Sequence, residues 1–400
     1  MNSVEIREIE DRYTASTYNR YDVVLESGEG VYAKGADGKK YIDFTSGLGV
    51  NSLGYSDKGW VLAVTKQANK IQHASNLFYT EPCARVAEKI CKLTEMEKAF
   101  FANSGAEANE GAIKAARKYS LLKYGGETGS DLSRYKIVTL EGSFHGRTMA
   151  TTSATGQNAS QKFFTPRTQG FGYAKVNDLE SLNEAIDENT CAIMVEFIQG
   201  DGGVNDLSSE FVREIDRICK EKDVLLIADE VQTGIGRTGK FMSYEYFDIK
   251  PDIVSVAKGI GGGLPIGVVI FGEKTKDVFN PGEHGSTYGG NPVVCAGAEY
   301  VLSKFEDGTF IREIAKKGEY MRGKAEEMAG VLEVTGKGLM IGLDIGAVDA
   351  KKVVKLCLEK GLLTGAAKNK VRLLPPLIIE KPEIDAGLEI LGEAIQNAAL

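Results

Sequence analysis

The stretch Val224-Leu225-Leu226-Ile227-Ala228-Asp229-Glu230-Val231-Gln232-Thr233-Gly234, with Pro251-Asp252-Ile253-Val254-Ser255-Val256-Ala257-Lys258-Gly259-Ile260-Gly261-Gly262-Gly263 after it, decides the fold. Two short apolar runs each end in one ionisable residue, Asp229 in the first and Lys258 in the second. A continuous apolar run of this length is covered on both faces, as strands of a buried parallel sheet are. In an open α/β sheet, ligands sit beyond the carboxyl ends of the strands, where Asp229 and Lys258 emerge.

Outward from this pair the chain alternates. Lys98-Ala99-Phe100-Phe101, Tyr135 to Leu140 and Cys191 to Val195 read as strands, and Glu107 to Tyr124 and Phe211 to Lys222 as helices. Such alternation predicts a mostly parallel sheet with helices on both faces. Residues 20–44 read as a small β-meander with turns at Ser27–Gly30 and Asp37-Gly38, and the apolar spacing from Trp60 to Leu93 is helical. A long helix follows Asn291, and beyond residue 306 an α+β tail holds strands at Leu332–Val334 and Gly342–Ile345. The expected division is residues 1–50 and 301–400 together in a smaller domain, with 51–300 as the large domain.

The net charge of −8 and a pI near 5.3 argue against nucleic-acid or anionic-membrane partners. The opening MNSVEIREIEDRYTAS has no apolar core of a secretion signal, and no apolar run is long enough to span a membrane. Six scattered cysteines with no C-x-x-C pair, beside His73, His145 and His284 alone, give no zinc pattern and fit thiols in a reducing cytoplasm.

Gly234-Ile235-Gly236-Arg237-Thr238-Gly239 matches the dinucleotide fingerprint G-x-G-x-x-G, but Phe241–Phe247 does not suit the helix that must open at its last glycine. The same glycines with Lys240 approach a P-loop, yet Phe241 stands where Ser or Thr must hold magnesium. A glycine-rich turn is the better reading.

Asn103-Ser104-Gly105-Ala106-Glu107-Ala108-Asn109 follows a strand and opens a helix, a place where small residues let backbone N–H groups approach an anion. Ordinary capping by Asn103 or Ser104 is the plainer alternative. Ser143-Phe144-His145-Gly146-Arg147-Thr148 supplies an arginine suited to a carboxylate and an aromatic suited to a planar ring; His145 or Phe144 alone reads as packing. Asp229 or Lys258 alone reads as a strand-end charge or half an ion pair. Together, a desolvated lysine and a carboxylate suit pyridoxal phosphate, which links to a lysine and takes an acid at its ring nitrogen.

In this order, NSGAEANE (103–110), FHGRT (144–148), IADEVQTG (227–234), AKGIGGGLPIG (257–267), GSTYGGNP (285–292) and VRLLPPL (371–377) resemble the class III pyridoxal-phosphate aminotransferases over nearly the whole chain. The resemblance implies fold type I, with a large seven-stranded, mostly parallel sheet domain and a smaller α+β domain from both chain ends. It implies Lys258 as the residue bound covalently to the cofactor and Asp229 at the ring nitrogen. Ser104, Gly105 and Ala106 would hold the phosphate, Phe144 would cover the ring, and Glu230, Val231 and Gln232 would line it. It further implies an obligate homodimer with shared sites, in which Thr287 meets the neighbouring subunit's phosphate and Ser286 lies near its substrate. Arg147 and Arg372 would bind substrate carboxylates.

TYNRYDV (17–23), TSGLGVNSLG (45–54) and ASNLFYTEP (74–82) are most similar to the acetylornithine branch of the class, which implies arginine biosynthesis and places Tyr18 near the substrate. In that branch Arg147 takes the distal carboxylate of both substrates, and Arg372 is masked by a carboxylate until glutamate arrives. Gly47 and Leu48 stand where ornithine enzymes carry a tyrosine, leaving room for an N-acyl group. Two departures stand out. EPIQGE becomes Glu196-Phe197-Ile198-Gln199-Gly200-Asp201, so the masking acid is one methylene shorter, which predicts either a backbone that sits closer or a longer, water-bridged pair. GHCHP becomes Gly54-Tyr55-Ser56-Asp57-Lys58. Succinylornithine, succinyl-diaminopimelate, ornithine and 4-aminobutyrate transamination, a glutamate-semialdehyde-type aminomutase and an inert binding protein are the competing functions.

Overall fold

The computed structural model describes residues 1–125, 134–157 and 161–400. Its centre is a seven-stranded sheet in the order Lys98–Ala102, Gly267–Phe271, Ile253–Val256, Leu225–Asp229, Thr190–Val195, Lys136–Leu140, Phe171–Ala174. Leu225–Asp229 is buried throughout and pairs in parallel with Ile253–Val256 on one side and Thr190–Val195 on the other. Asp229 therefore sits in register with Ser255.

Gly267–Phe271 is antiparallel to both its neighbours. Only about ten residues separate it from Ile253–Val256, with one 3₁₀ turn at Lys258–Gly261. A parallel return needs a crossover of a dozen or more residues, so so short a link can only double back. The fold-back holds Lys258 at the sheet's ligand-binding edge.

Helix Gly105–Tyr124 packs one face of alanines, Ala108, Ala112, Ala115 and Ala116, against the sheet. Helix Ser209–Lys222 covers the other face through Phe211, Val212, Ile215 and Ile218. Strands Leu25–Glu29, Tyr32–Gly35 and Lys40–Asp43 form an antiparallel set joined in parallel by Leu362–Leu363, so both chain ends share one sheet. A further sheet of Glu333–Lys337, Met340–Asp344, Lys370–Leu373 and Gly365–Ala367 carries Arg372.

Three local expectations need correction. Ser27 and Gly28 belong to the first strand, and the turn is the two-residue Gly30-Val31, with Gly30 at φ 58°. The helical spacing from Trp60 to Leu93 is two helices, Lys58–Ala68 and Glu81–Thr94. Pro82 lacks the N–H and would clash with the preceding turn, so one helix cannot run through it. Strands Phe171–Ala174 and Gly267–Phe271 were not foreseen; each is short and abuts or contains glycine.

Candidate active site

Beyond the carboxyl ends of the central strands lies a cavity of about 430 Å³, lined by Ser104, Gly105, Ala106, Asn109, Phe144, His145, Arg147, Glu196, Asp201, Asp229, Val231, Gln232 and Lys258 among others. That size suits a cofactor or small substrate.

Asp229 is built in from three sides. Its Oδ2 accepts from Asn109 Nδ2 and from His145 Nδ1, both at 2.7 Å, and its Oδ1 accepts from the Val231 amide at 3.0 Å. Asn109 is fixed in turn by the Ser255 hydroxyl at 2.5 Å and donates to the His145 carbonyl at 2.7 Å. A carboxylate with this many donors is held in one orientation at the cavity wall. Sequence reasoning took His145 as packing and missed Asn109 as a partner.

Lys258 adopts φ 48°, a left-handed conformation that a non-glycine side chain holds only under constraint from its surroundings. Burial pushes its ammonium below the usual lysine value, against the opposing pull of Asp201 and Asp229. Such an amine is poised to be a nucleophile.

Helix Gly105–Tyr124 points its N-terminus into the cavity. The Ser104 hydroxyl accepts from the Glu107 amide at 3.1 Å, so the N–H groups of Gly105 and Ala106 have no acceptor within the helix. A Cβ on Gly105 would come within 2.6 Å of Val231 Cγ1, so only glycine lets the helix start approach the wall so closely.

Glu196 is buried beside Phe144. Its Oε2 accepts from the Phe144 amide at 2.8 Å and its Oε1 from the Gly200 amide at 3.3 Å, and burial raises its carboxyl to about 7. This residue, not singled out from the sequence, ties the Phe144 loop to the turn that bears Asp201. The Arg147 guanidinium lies over the Phe144 ring, 5.5 Å from its centroid, and is open to the cavity.

Arg372 stands just behind the cavity wall. Its Nη1 donates to Asp201 Oδ1 at 2.5 Å and to Gln232 Oε1 at 3.3 Å. Of the two expected arrangements, the closer backbone is the one found: the contact is direct. The turn closes up because Gly200 lies on Gln232, where a Cβ would be 1.9 Å from Oε1.

Besides Arg372, four expected residues lie outside the cavity. Glu230 points the other way and accepts from Thr233, Ser243 and the Tyr244 amide. Alternation along a strand turns neighbours to opposite faces, and Glu230 follows Asp229 directly. Ser286 lines a separate cleft of about 470 Å³ with Asn76, Tyr79 and His284, and Thr287 is exposed beside it. Tyr18 is exposed in the N-terminal segment. Within one chain none of these last three reaches the cavity of Lys258. No cluster of three or more His, Cys, Asp or Glu among the described residues could hold a metal ion.

The family model described as "Aminotransferase class-III" matches residues 13–395. The chain belongs to the class III aminotransferases. Similar class III sequences include the acetylornithine aminotransferases of Haemophilus ducreyi, 45% identical over 99% of this chain and 100% of that one, and of Caldanaerobacter subterraneus subsp. tengcongensis, 47% identical over 97% and 98%. Among solved structures, ornithine aminotransferase of Toxoplasma gondii superposes with a TM-score of 0.93 at 28% identity, covering 100% of this chain and 96% of that one. Acetylornithine aminotransferase of Elizabethkingia anophelis gives a TM-score of 0.85 at 33% identity, covering 99% and 100%. The fold is therefore fold type I, and the enzyme is a pyridoxal-phosphate-dependent aminotransferase.

The residues present fit that cofactor. A helix N-terminus with unclaimed N–H groups suits its phosphate, a buried carboxylate facing the cavity suits its pyridinium nitrogen, and a lysine of lowered basicity suits its aldehyde. No helix among the described residues is long and apolar enough to cross a membrane.

Proposed function

We propose that this class III aminotransferase moves the terminal amino group of N2-acetyl-L-ornithine to 2-oxoglutarate, giving N-acetyl-L-glutamate 5-semialdehyde and L-glutamate, a step of arginine biosynthesis. The observation that carries it is the pair of arginines. Arg147 is open to the cavity, whereas Arg372 is held by Asp201 and Gln232. One site must take two acids, with the reacting amine distal in one and at the α carbon in the other. An open arginine for the carboxylate both share, and a masked one for the α-carboxylate of glutamate alone, meets that need. The names of the bacterial relatives support the same substrate.

When bound, the cofactor supplies an aldehyde that condenses with amines and a ring that accepts electron density from the substrate carbon. Gly105 and Ala106 would hold the phosphate, and Phe144, Val231 and Gln232, which line the cavity, would enclose the ring. Asp229, steadied by His145 and Asn109, would face the ring nitrogen and favour a proton there. Lys258 Nζ would hold the cofactor and, when released, could carry a proton to and from the substrate carbon. Arg147 orients the shared carboxylate with a two-pronged fork.

The working unit of this reading is a cytoplasmic homodimer. Leu77, Phe78, Tyr79 and Tyr288 expose large apolar surface around the cleft that holds Ser286, and a second copy would cover it and bring Ser286 and Thr287 to its own cavity. Sedimentation of the holoenzyme at monomer mass would refute the dimer. The substrate is tested by mixing holoenzyme with acetylornithine, succinylornithine, ornithine and 4-aminobutyrate in turn, and following the cofactor's absorbance in one turnover. Acetylornithine should react fastest; a faster rate with any other amine would reassign the substrate.

A further inference from the structure

Arg237 lies in the glycine-rich stretch Gly234–Gly239 and is almost completely buried. Burial pushes its guanidinium down to about 9, with Asp43 the opposing charge. A buried cation is costly unless its donors are satisfied. They are used on three segments far apart in the chain. Nη1 donates to the Leu339 carbonyl at 3.0 Å and to the Pro375 carbonyl at 2.6 Å, and Nη2 donates to Ser46 Oγ at 3.4 Å. The backbone adds a fourth tie, Leu339 N to the Arg237 carbonyl at 3.0 Å.

The segments so held surround the site. Pro375 is three residues beyond Arg372 on one continuous stretch. The Ser46 hydroxyl donates to the Leu374 carbonyl at 2.6 Å, and the Leu374 amide donates to Phe44 at 2.7 Å. Leu339 precedes the strand Met340–Asp344, in which Gly342 pairs with Arg372. Gln232, which accepts from Arg372, opens the loop that carries Arg237. Both the backbone of Arg372 and one acceptor of its side chain are thus referred to one loop.

We propose that Arg237 is the positioning residue for Arg372, setting where the α-carboxylate of glutamate and 2-oxoglutarate is bound. This rests on the reading of Arg372 given above. A planar fork bridges two carbonyls and a hydroxyl; a lysine, with a compact ammonium, reaches fewer of them, and methionine none. Loss of the clamp lets the 372–375 stretch shift, and displacements of about 1 Å at a binding group are felt strongly in catalysis.

The test measures both half-reactions of the holoenzyme by single turnover for Arg237→Met, Arg237→Lys, Ser46→Ala, Arg372→Met and the double variant Arg237→Met/Arg372→Met. Arg237→Met should raise KM for glutamate and 2-oxoglutarate on the order of tenfold while kcat and the acetylornithine half-reaction change less than about threefold. Arg237→Lys should recover part of the loss, and Ser46→Ala should show the same one-sided effect, smaller. On the Arg372→Met background, Arg237→Met should add nothing on the glutamate side. Equal effects on both half-reactions, or an additive double variant, overturn the proposal. If Arg237→Met does not fold, the same ratio in Arg237→Lys and Ser46→Ala decides. If Arg372→Met itself leaves glutamate unaffected, the role of Arg372 has failed and the clamp falls with it; if Arg372→Met weakens glutamate but the Arg237 and Ser46 variants do not, the clamp alone has failed.

Discussion

Asp201→Asn isolates the masking of Arg372 with almost no change of shape. The contact is one charge-assisted hydrogen bond, Nη1 to Oδ1 at 2.5 Å. Such bonds contribute about 1.5–3 kcal/mol. Asp201 is 36% exposed, so solvent screening reduces the figure. Asparagine keeps an oxygen that accepts a neutral bond of about half the strength. The loss is therefore about 1 kcal/mol, or roughly fivefold in an equilibrium. Glutamate must displace residue 201 from Arg372, so the variant should bind glutamate and 2-oxoglutarate about fivefold more tightly. Acetylornithine, which leaves Arg372 masked, should change by less than about twofold. Asp201 is also the largest of the charges holding up the Lys258 ammonium. Its neutralisation lowers that lysine further, but the lysine serves both half-reactions, so the ratio of the two cancels the effect. Single-turnover absorbance with each amino donor, and quenching by 2-oxoglutarate of the aminated enzyme, give the ratio. A ratio that stays constant, or moves toward acetylornithine, refutes the masking role.

Lys258→Ala should lower turnover by at least about 10⁴-fold while far-ultraviolet circular dichroism is unchanged, since the lysine supplies both the covalent link and the proton carrier. Asp229→Asn should slow both half-reactions by about a hundredfold or more. If its amide oxygen keeps the bonds from Asn109 and His145, its NH₂ is turned against the Val231 N–H; near-normal rates would exclude Asp229 from the ring nitrogen. Arg147→Lys should raise KM for both substrates by about tenfold through loss of the fork, and a rise for one alone would break the shared-carboxylate model. Glu230→Gln tests a buried carboxyl that burial raises from 4.5 to about 7. The folded state then holds the proton more tightly than the unfolded chain, so the parent's extra stability is full below pH 4.5 and is lost as pH rises to about 7. Relative to the parent, the variant's melting temperature should climb between those values and level off above; a flat difference would contradict the buried titration.

The sequence reading reached the site where local rules apply and stopped where they end. Asp229 and Lys258 stand out because a buried apolar run that ends in a charge is a local signal. Glu230 was drawn in by adjacency, though strand alternation was enough to turn it away. The partners of Asp229 come from three separate elements, and no spacing joins Asn109 and His145 to a residue 120 and 84 positions on. Asp201, one methylene short for Arg372, left a closer backbone and a longer pair equally open, because loop approach is not written in local sequence; Gly200 closes the gap by lying on Gln232. The Gly267–Phe271 strand was hidden in a glycine-rich tract, and its reversed direction follows only from the length of the link before it.

That reversed strand has a consequence for how the molecule is made. Among the described residues Lys98–Ala102 is an edge of the sheet and its one partner there is Gly267–Phe271. The partner is translated about 170 residues later, so at 5–20 residues per second the earlier strand waits on the order of 10–30 s for it. During that interval Phe100 and Phe101 stand on an open ladder, the kind of surface that invites pairing with other chains. Strands from Lys136 to Val256 can assemble meanwhile, because each pairs with a neighbour made nearby in time. The last strand of the sheet to leave the ribosome is thus the one that joins its first strand to the rest, and the turn that bears Lys258 is the link leading into it.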